Sequence, residues 1–233
     1  MSNLIELSDI QFSWLPSQPP IIDIPKLTIK RGERIFISGD SGSGKSTLLS
    51  LIGGVNLPQS GSISVIDKPL HTLGNAQRDL FRADHIGFIF QIFNLIPYLS
   101  VIDNVTLPCF FSKKRKQNIQ QSSLEDEAIR LLSDLRLTGD IIYKPVTQLS
   151  TGQQQRVAAA RALMGKPELI IADEPTSSLD TDRRADFINL LFEECDHQDT
   201  TLLFVSHDKA LESLFHHTIS LADINQAATV EDF

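Results

Sequence analysis

The chain has 233 residues, of which 41% are hydrophobic and 21% charged, and its 21 Lys plus Arg against 29 Asp plus Glu give a net charge of −8. That length fits one domain or two small lobes, and the balance excludes a disordered chain. The acidic surplus argues against a protein whose main task is gripping a nucleic-acid backbone, which calls for a basic face.

Met1 to Glu6 carries no basic stretch followed by an apolar run, so no signal peptide is expected. Leu4 to Leu7, Ile10 to Trp14, Leu27 to Lys30 and Ser62 to Ile66 look like short strands split by turns such as Lys30-Arg31-Gly32-Glu33. They suggest a small antiparallel sheet beside a main one. Ile35 to Ser38 is an apolar run ending at a glycine cluster, which predicts a buried strand. A helix is predicted from Ser46 to Ile52. Cys109 and Cys195 show no metal-ligand spacing and are expected to be reduced thiols. Ser112-Lys113-Lys114-Arg115-Lys116 suits lipid headgroups or nucleic acid, but is expected to be a solvated loop. Leu124, Ala128, Leu131, Leu132 and Leu135 form an apolar stripe at helical spacing. Leu169 to Ala172 and Leu202 to Val205 predict buried strands, each followed by polar residues, with a helix from Thr181 to Cys195 between them. Strands alternating with helices argue for an α/β parallel sheet. No window approaches 18 apolar residues, so no membrane span is expected.

Gly39-Asp40-Ser41-Gly42-Ser43-Gly44-Lys45-Ser46-Thr47 satisfies G-x-x-x-x-G-K-[ST]. It follows a predicted strand and opens a predicted helix, as a phosphate loop must. Its glycines let the backbone curl so that successive N–H groups and the positive helix end hold phosphate oxygens. Lys45 supplies a cation to the β- and γ-phosphates, and the Ser46 hydroxyl is placed for Mg²⁺. Leu169-Ile170-Ile171-Ala172-Asp173-Glu174 puts two carboxylates where a buried strand emerges. Asp173 is expected to hold Mg²⁺, directly or through water, and Glu174 to polarise the attacking water as general base. These two elements fit any P-loop ATPase, kinases and helicases included.

Leu149-Ser150-Thr151-Gly152-Gln153-Gln154-Gln155-Arg156-Val157 precedes Ala158-Ala159-Ala160-Arg161-Ala162-Leu163. Here the chain resembles, over nearly its whole length, the nucleotide-binding subunits of ABC transporters, whose signature is L-S-G-G-Q followed by a Q-R-V helix. The resemblance implies a RecA-like α/β P-loop NTPase core with a small antiparallel β subdomain and an inserted helical subdomain. The lobes would be 1–91 with 164–233, and 92–163. It makes Gly39 to Thr47 the Walker A motif and Leu169 to Glu174 the Walker B motif. It places Gln91 as the Q-loop glutamine, catalytic and facing Mg²⁺, His207 as the catalytic switch histidine, and Ser178-Leu179-Asp180 as the D-loop. Trp14 stands where the family stacks an aromatic on adenine, with Phe12 as the competing candidate. Two copies would form a head-to-tail sandwich, in which Ser150, the Gly152 backbone, Gln153 and Asp180 meet ATP held by the partner. Three positions depart from the family pattern. Thr151 replaces the first signature glycine, Ser177 replaces a glycine common before the D-loop, and Asp40 adds a negative charge inside the phosphate loop. None removes a required chemical group, so an active ATPase using ATP and Mg²⁺ is expected.

The stretch Ile86 to Pro108 looks like the segment shared by lipoprotein-releasing (Lol-type), macrolide-exporting (MacB-type) and cell-division (FtsE-type) ATPases. Phe93, Leu95, Ile96, Pro97 and Tyr98 either line a groove for a coupling helix of a membrane subunit or fill the core between lobes. The resemblance implies an energy-coupling subunit of a membrane complex for export or extraction, peripheral on the inner face of the cytoplasmic membrane. A separate transmembrane permease would dock near Phe93–Tyr98, and no nucleic acid is expected. The alternatives are a cell-division-type regulatory ATPase and a soluble ABC ATPase acting on nucleic acid or the ribosome.

Overall fold

The computed structural model describes residues 2–119, 122–177, 179, 181–215 and 217–227. Strands β1 (Asn3–Phe12), β2 (Ile22–Lys30) and β3 (Arg34–Ser38) precede helix α1 (Lys45–Ile52). Then come β4 (Ser60–Val65), the two-residue β5 (Lys68–Pro69), α2 (Asn75–His85) and β6 (Ile86–Ile89). Helices α3 (Val101–Thr106), α4 (Pro108–Phe111), α5 (Lys113–Gln117), α6 (Leu124–Asp134) and α7 (Thr151–Leu163) follow. The chain continues with β7 (Leu169–Asp173), α8 (Thr181–Gln198), β8 (Thr201–Ser206), β9 (His217–Ser220) and α9 (Leu221–Ile224). Two compact units result, one built up to Arg82 and again from Leu203, the other from Ala83 to Leu202.

In the first unit, the expected antiparallel sheet has the order β2-β1-β4-β5. The segments Leu4 to Leu7 and Ile10 to Trp14 are not two strands but one, and it stops at Phe12. Its buried residues run Ile5, Leu7, then Ile10, Phe12, and those of β2 run Ile29, Leu27, then Ile24, Ile22. Both alternations slip at the same rung, where Asp9 takes a φ of 51° and Pro25 cannot donate to the ladder. The irregularity keeps both halves of the strand facing one core, because a one-residue slip otherwise turns every later side chain outward. β3 pairs in parallel with β9, from Ile35↔His217 to Ser38↔Ser220, and has β8 on its other side. Phe36, Phe204 and Phe215 pack together under this sheet, with ring centroids 5.1 to 6.0 Å apart. That core fixes the end of β3 from which the phosphate loop leaves.

In the second unit, β6 pairs in parallel with β7, from Ile86↔Leu169 to Ile89↔Ala172. Helix α7 packs on β6, α3 and α6. A Cβ at Gly87 would stand 2.2 Å from the Ala162 carbonyl oxygen, so the strand meets the helix backbone to backbone. Of the predicted stripe, Ala128, Leu131 and Leu132 of α6 and Leu135 at its C-cap are enclosed, and Leu124 at its start is half-buried. Cys109 and Cys195 are buried and not joined in a disulfide.

The basic run is not a solvated loop. Ser112 caps α5, and Arg115 within that helix is 2% exposed. Its guanidinium donates to the carbonyls of Ile86, Ala162 and Met164. Desolvation pulls its pKa down to about 10, so it stays charged at neutral pH. Only Lys113 and Lys116 of the run are left in solvent.

Candidate nucleotide site

β3 ends at Ser38, and α1 begins at Lys45, one residue before the predicted start. Gly42 and Gly44 have φ of 81° and 98°, a region that a Cβ makes costly. Gly44 is the N-cap of α1, and no side chain caps the helix there. The positive end of the helix is therefore open to an anion. Lys45 is buried, and its ammonium donates to the carbonyls of Gly39 at 2.6 Å and Asp40 at 2.7 Å, which holds the loop curled. The Ser43 hydroxyl is buried with no hydrogen-bond partner. An unmet buried polar atom costs about 1–3 kcal/mol, so this oxygen is poised for a ligand. Ser41, Gly42 and Ser46 are exposed, and Thr47 is buried. Asp40 is exposed as well, so solvent screens its charge.

Two other predicted residues belong to this unit. Trp14 is 57% exposed and sits edge-on to Phe12, with centroids 5.1 Å apart. Phe12 itself is buried in the face of β1. Of the two candidates, Trp14 is the one with ring area for a base. His207 follows β8 directly and is exposed.

The second unit carries the rest. Gln91 is exposed, two residues beyond β6. Phe93 and Asn94 take φ of 56° and 49°, and the Asn94 N–H donates to the Ile92 carbonyl at 2.6 Å. Two successive non-glycine residues in the left-handed region cost about 1–3 kcal/mol each, so something must hold them. Arg161 of α7 does, donating to the Phe93 carbonyl at 2.6 Å and the Asn94 carbonyl at 2.7 Å. Phe93 is buried, Leu95 and Ile96 half-buried, and Pro97 and Tyr98 exposed. Burial thus falls off along this apolar stretch, from Phe93 to Tyr98.

β7 ends at Asp173, which is half-buried, and Glu174 follows, buried, with φ of 46°. A carboxylate held in a sparsely populated backbone region is a mark of functional sites. Ser150 caps α7: its Oγ accepts from the Gln153 N–H at 3.4 Å, and its own N–H donates to Gln153 Oε1 at 2.9 Å. The capping box leaves the amides of Thr151 and Gly152 outside its pairing. Thr151 lies inside the helix at ordinary φ, so its Cβ costs the backbone nothing. Gln155, buried on the same helix, donates to the Pro175 carbonyl at 2.7 Å, just past Glu174. Asp180, with Ser178, lies outside the described residues.

Sequence reasoning missed the backbone-holding roles of Gln155, Arg161 and Arg115. Arg161 left a trace, as a cation inside the apolar run Ala158 to Leu163. The others left none, because their acceptors lie far along the chain or in the loop backbone.

Residues 22–177 match the pattern of the ABC transporter family. YbbA, an uncharacterized ABC transporter ATP-binding protein of Escherichia coli (strain K12), is 42% identical over 186 residues, 80% of this chain and 79% of that one. The lipoprotein-releasing system ATP-binding protein LolD of Psychrobacter arcticus is 39% identical over 188 residues, 81% of each chain. Among solved structures, the dimeric ATP-binding cassette MJ0796 in a post-hydrolysis state bound to ADP and Pi superposes with a TM-score of 0.82. It is 31% identical, and the match covers 98% of this chain and 100% of that one. Fold, phosphate loop and signature helix together define an ATP-binding cassette. The chain belongs to the ABC transporter family, as an ATP-hydrolysing subunit. Neither the cell-division-type nor the soluble alternative is favoured by these relatives.

Proposed function

We propose that two copies of this chain close head to tail on ATP and Mg²⁺, and that hydrolysis reopens them to drive a separate membrane permease docked near Phe93–Tyr98. The observation that carries this reading is the uncapped start of α1, with the buried Lys45 and the orphaned Ser43 hydroxyl beside it. Amides of the loop, Ser43 and Lys45 would hold the phosphates, with Gly39 to Thr47 forming the cradle. The donors that would hold the metal are Ser46, Asp173 and the Gln91 amide. All are oxygens, which suits Mg²⁺, an ion that prefers hard ligands and retains several waters. When bound, it would neutralise charge on the β- and γ-phosphates.

Glu174 would take a proton from the attacking water as its oxygen bonds to the γ-phosphorus and the bond to ADP breaks. Its restricted backbone limits where the carboxylate can point. His207 and Gln91 would orient water and phosphate, Trp14 would stack on adenine, and Asp180 would meet the partner's nucleotide. Ser150 Oγ–H and the Gly152 amide would donate to the γ-phosphate held by the second copy, with Gln153 fixing the turn. The helical lobe, 92–163, would carry this signature. A relative named for lipoprotein release supports export or extraction as the coupled work. Among the described residues no helix is long and apolar enough to cross a membrane. A peripheral position on the inner face of the membrane, through the permease, fits that observation.

The test is to express tagged Glu174→Gln in the source organism, solubilise membranes with ATP and Mg²⁺, and identify what co-purifies. A multi-pass protein with a large extracytoplasmic domain is expected. Ribosomes, nucleic acid or no membrane protein would overturn the permease assignment.

A further inference from the structure

We infer that Arg161 is a positioning residue that locks the turn after Gln91 to the signature helix, so that Gln91 and Ser150 shift as one body. The inference rests on the roles proposed above for those two residues.

The geometry is specific. α7 starts at the signature and carries Arg161 near its other end, about 15 Å further along at helical rise. The guanidinium spans two successive carbonyls, Phe93 at 2.6 Å and Asn94 at 2.7 Å. Both acceptors belong to residues in the left-handed region, which need an external hold. Among the described residues Arg161 forms no ion pair, and burial lowers its pKa. A half-buried cation without a carboxylate is a poor way to gain stability, and an apolar residue of similar size would serve packing better. The two carbonyls are what a guanidinium fork matches and a hydrocarbon cannot.

The other end of the same segment is tied to the same helix. Arg115 bridges the Ile86 carbonyl, where β6 begins, to the carbonyls of Ala162 and Met164 at the end of α7. Residues 86–94 are therefore clamped at both ends, with Gln91 between the clamps. A cavity of about 330 Å³ lined by Phe88, Phe90, Asn94, Phe111 and both arginines lies beside the segment. Side-chain packing therefore leaves the turn open on that flank, where Arg161 ties Phe93 and Asn94, while Asn104 of α3 holds Ile96 beyond them. Arg161 acts through Gln91 and the signature, not on the phosphate itself.

The test compares Arg161→Ala and Arg161→Lys with the wild type by steady-state ATP hydrolysis and by hydrogen exchange of the amides from Ile92 to Ile96. Arg161→Ala should lower kcat about 10- to 100-fold, the scale of a misplaced catalytic group, with the ATP KM within about 2-fold. Exchange over 92–96 should quicken about tenfold. Arg161→Lys keeps the charge but reaches one carbonyl, so both effects should be intermediate. If Arg161→Ala does not fold, Arg161→Lys decides alone. Wild-type kcat with wild-type exchange would overturn the inference. So would a kcat loss matched by an equal rise in KM, or one without any change in exchange. Lys45→Ala runs in parallel: if it still binds ATP, the nucleotide reading itself fails. If it does not, while the Arg161 variants match wild type, only this inference fails.

Discussion

Two helix N-termini in this chain face the same chemical problem and solve it differently. At α1 the cap is Gly44, no side chain caps the first turn, and two left-handed glycines bend the backbone into a cradle. At α7 the cap is Ser150, and a reciprocal bond pair with Gln153 satisfies part of the turn. On the proposed reading, the open end with its buried lysine receives a whole phosphate group. A capped end keeps its own shape and offers only a few donors, which suits a surface that completes someone else's site. The lesson is that receiving and completing an anion site call for opposite treatments of the same four amides.

The largest expected effect is on the open end. On the proposed reading Lys45→Ala removes charge-assisted bonds to phosphate, and it should weaken ATP binding by at least about 100-fold, measured by titration calorimetry. Next comes a pair of like substitutions, one at each helix. Gly44→Ala forces a Cβ onto a φ of 98°, 3.0 Å from Ile22 Cδ1, and should cost about 1–3 kcal/mol in a urea melt. Gly152→Ala meets only Leu179 Cδ2 at 3.6 Å and has ordinary φ, so stability should hold or rise by up to about 1 kcal/mol while hydrolysis falls. A destabilised Gly152→Ala, or a Gly44→Ala that folds and binds normally, would break the contrast between the two ends.

The smallest effect lies away from both helix starts. Burial alone would raise the pKa of Glu168, but bonds from His85 and Lys114 outweigh it and hold the carboxyl at about 2. A depressed carboxyl contributes stability that is full above its unfolded pKa and lost as pH falls through the folded one. The loss should therefore run from about pH 4.5 down to about 2. It should amount to no more than about 2 kcal/mol, given the solvent on its open side, and Glu168→Gln should flatten that limb of the stability curve.

Much of this was legible in the residues. The phosphate loop, the strand before Asp173 and the stripe of α6 rest on local pattern, and local pattern is what one sequence displays. The misses share a cause. β1 looked like two strands because a bulge at Asp9 interrupts its alternation, and only its partners β2 and β4 reveal the continuity. α2 escaped because it is polar almost throughout, with Phe81 as its one buried residue. Arg115 looked like part of a solvated run because the carbonyls that hold it come from residues 29 to 49 positions away. Arg161 and Gln155 are tied to loop backbone, and only Arg161, a cation inside an apolar run, left any trace. Side chains that bind a ligand announce themselves by type and spacing, whereas side chains that hold backbone do not.

The most direct test of the central claim is size-exclusion chromatography of Glu174→Gln with ATP and Mg²⁺, with hydrolysis followed on the same samples. If Glu174 is the general base proposed above, its loss should slow turnover by at least about 100-fold. The stalled protein should elute as an ATP-loaded dimer that falls apart when the nucleotide is removed. Turnover at the wild-type rate, or ATP held by a protein that stays monomeric, would contradict the account.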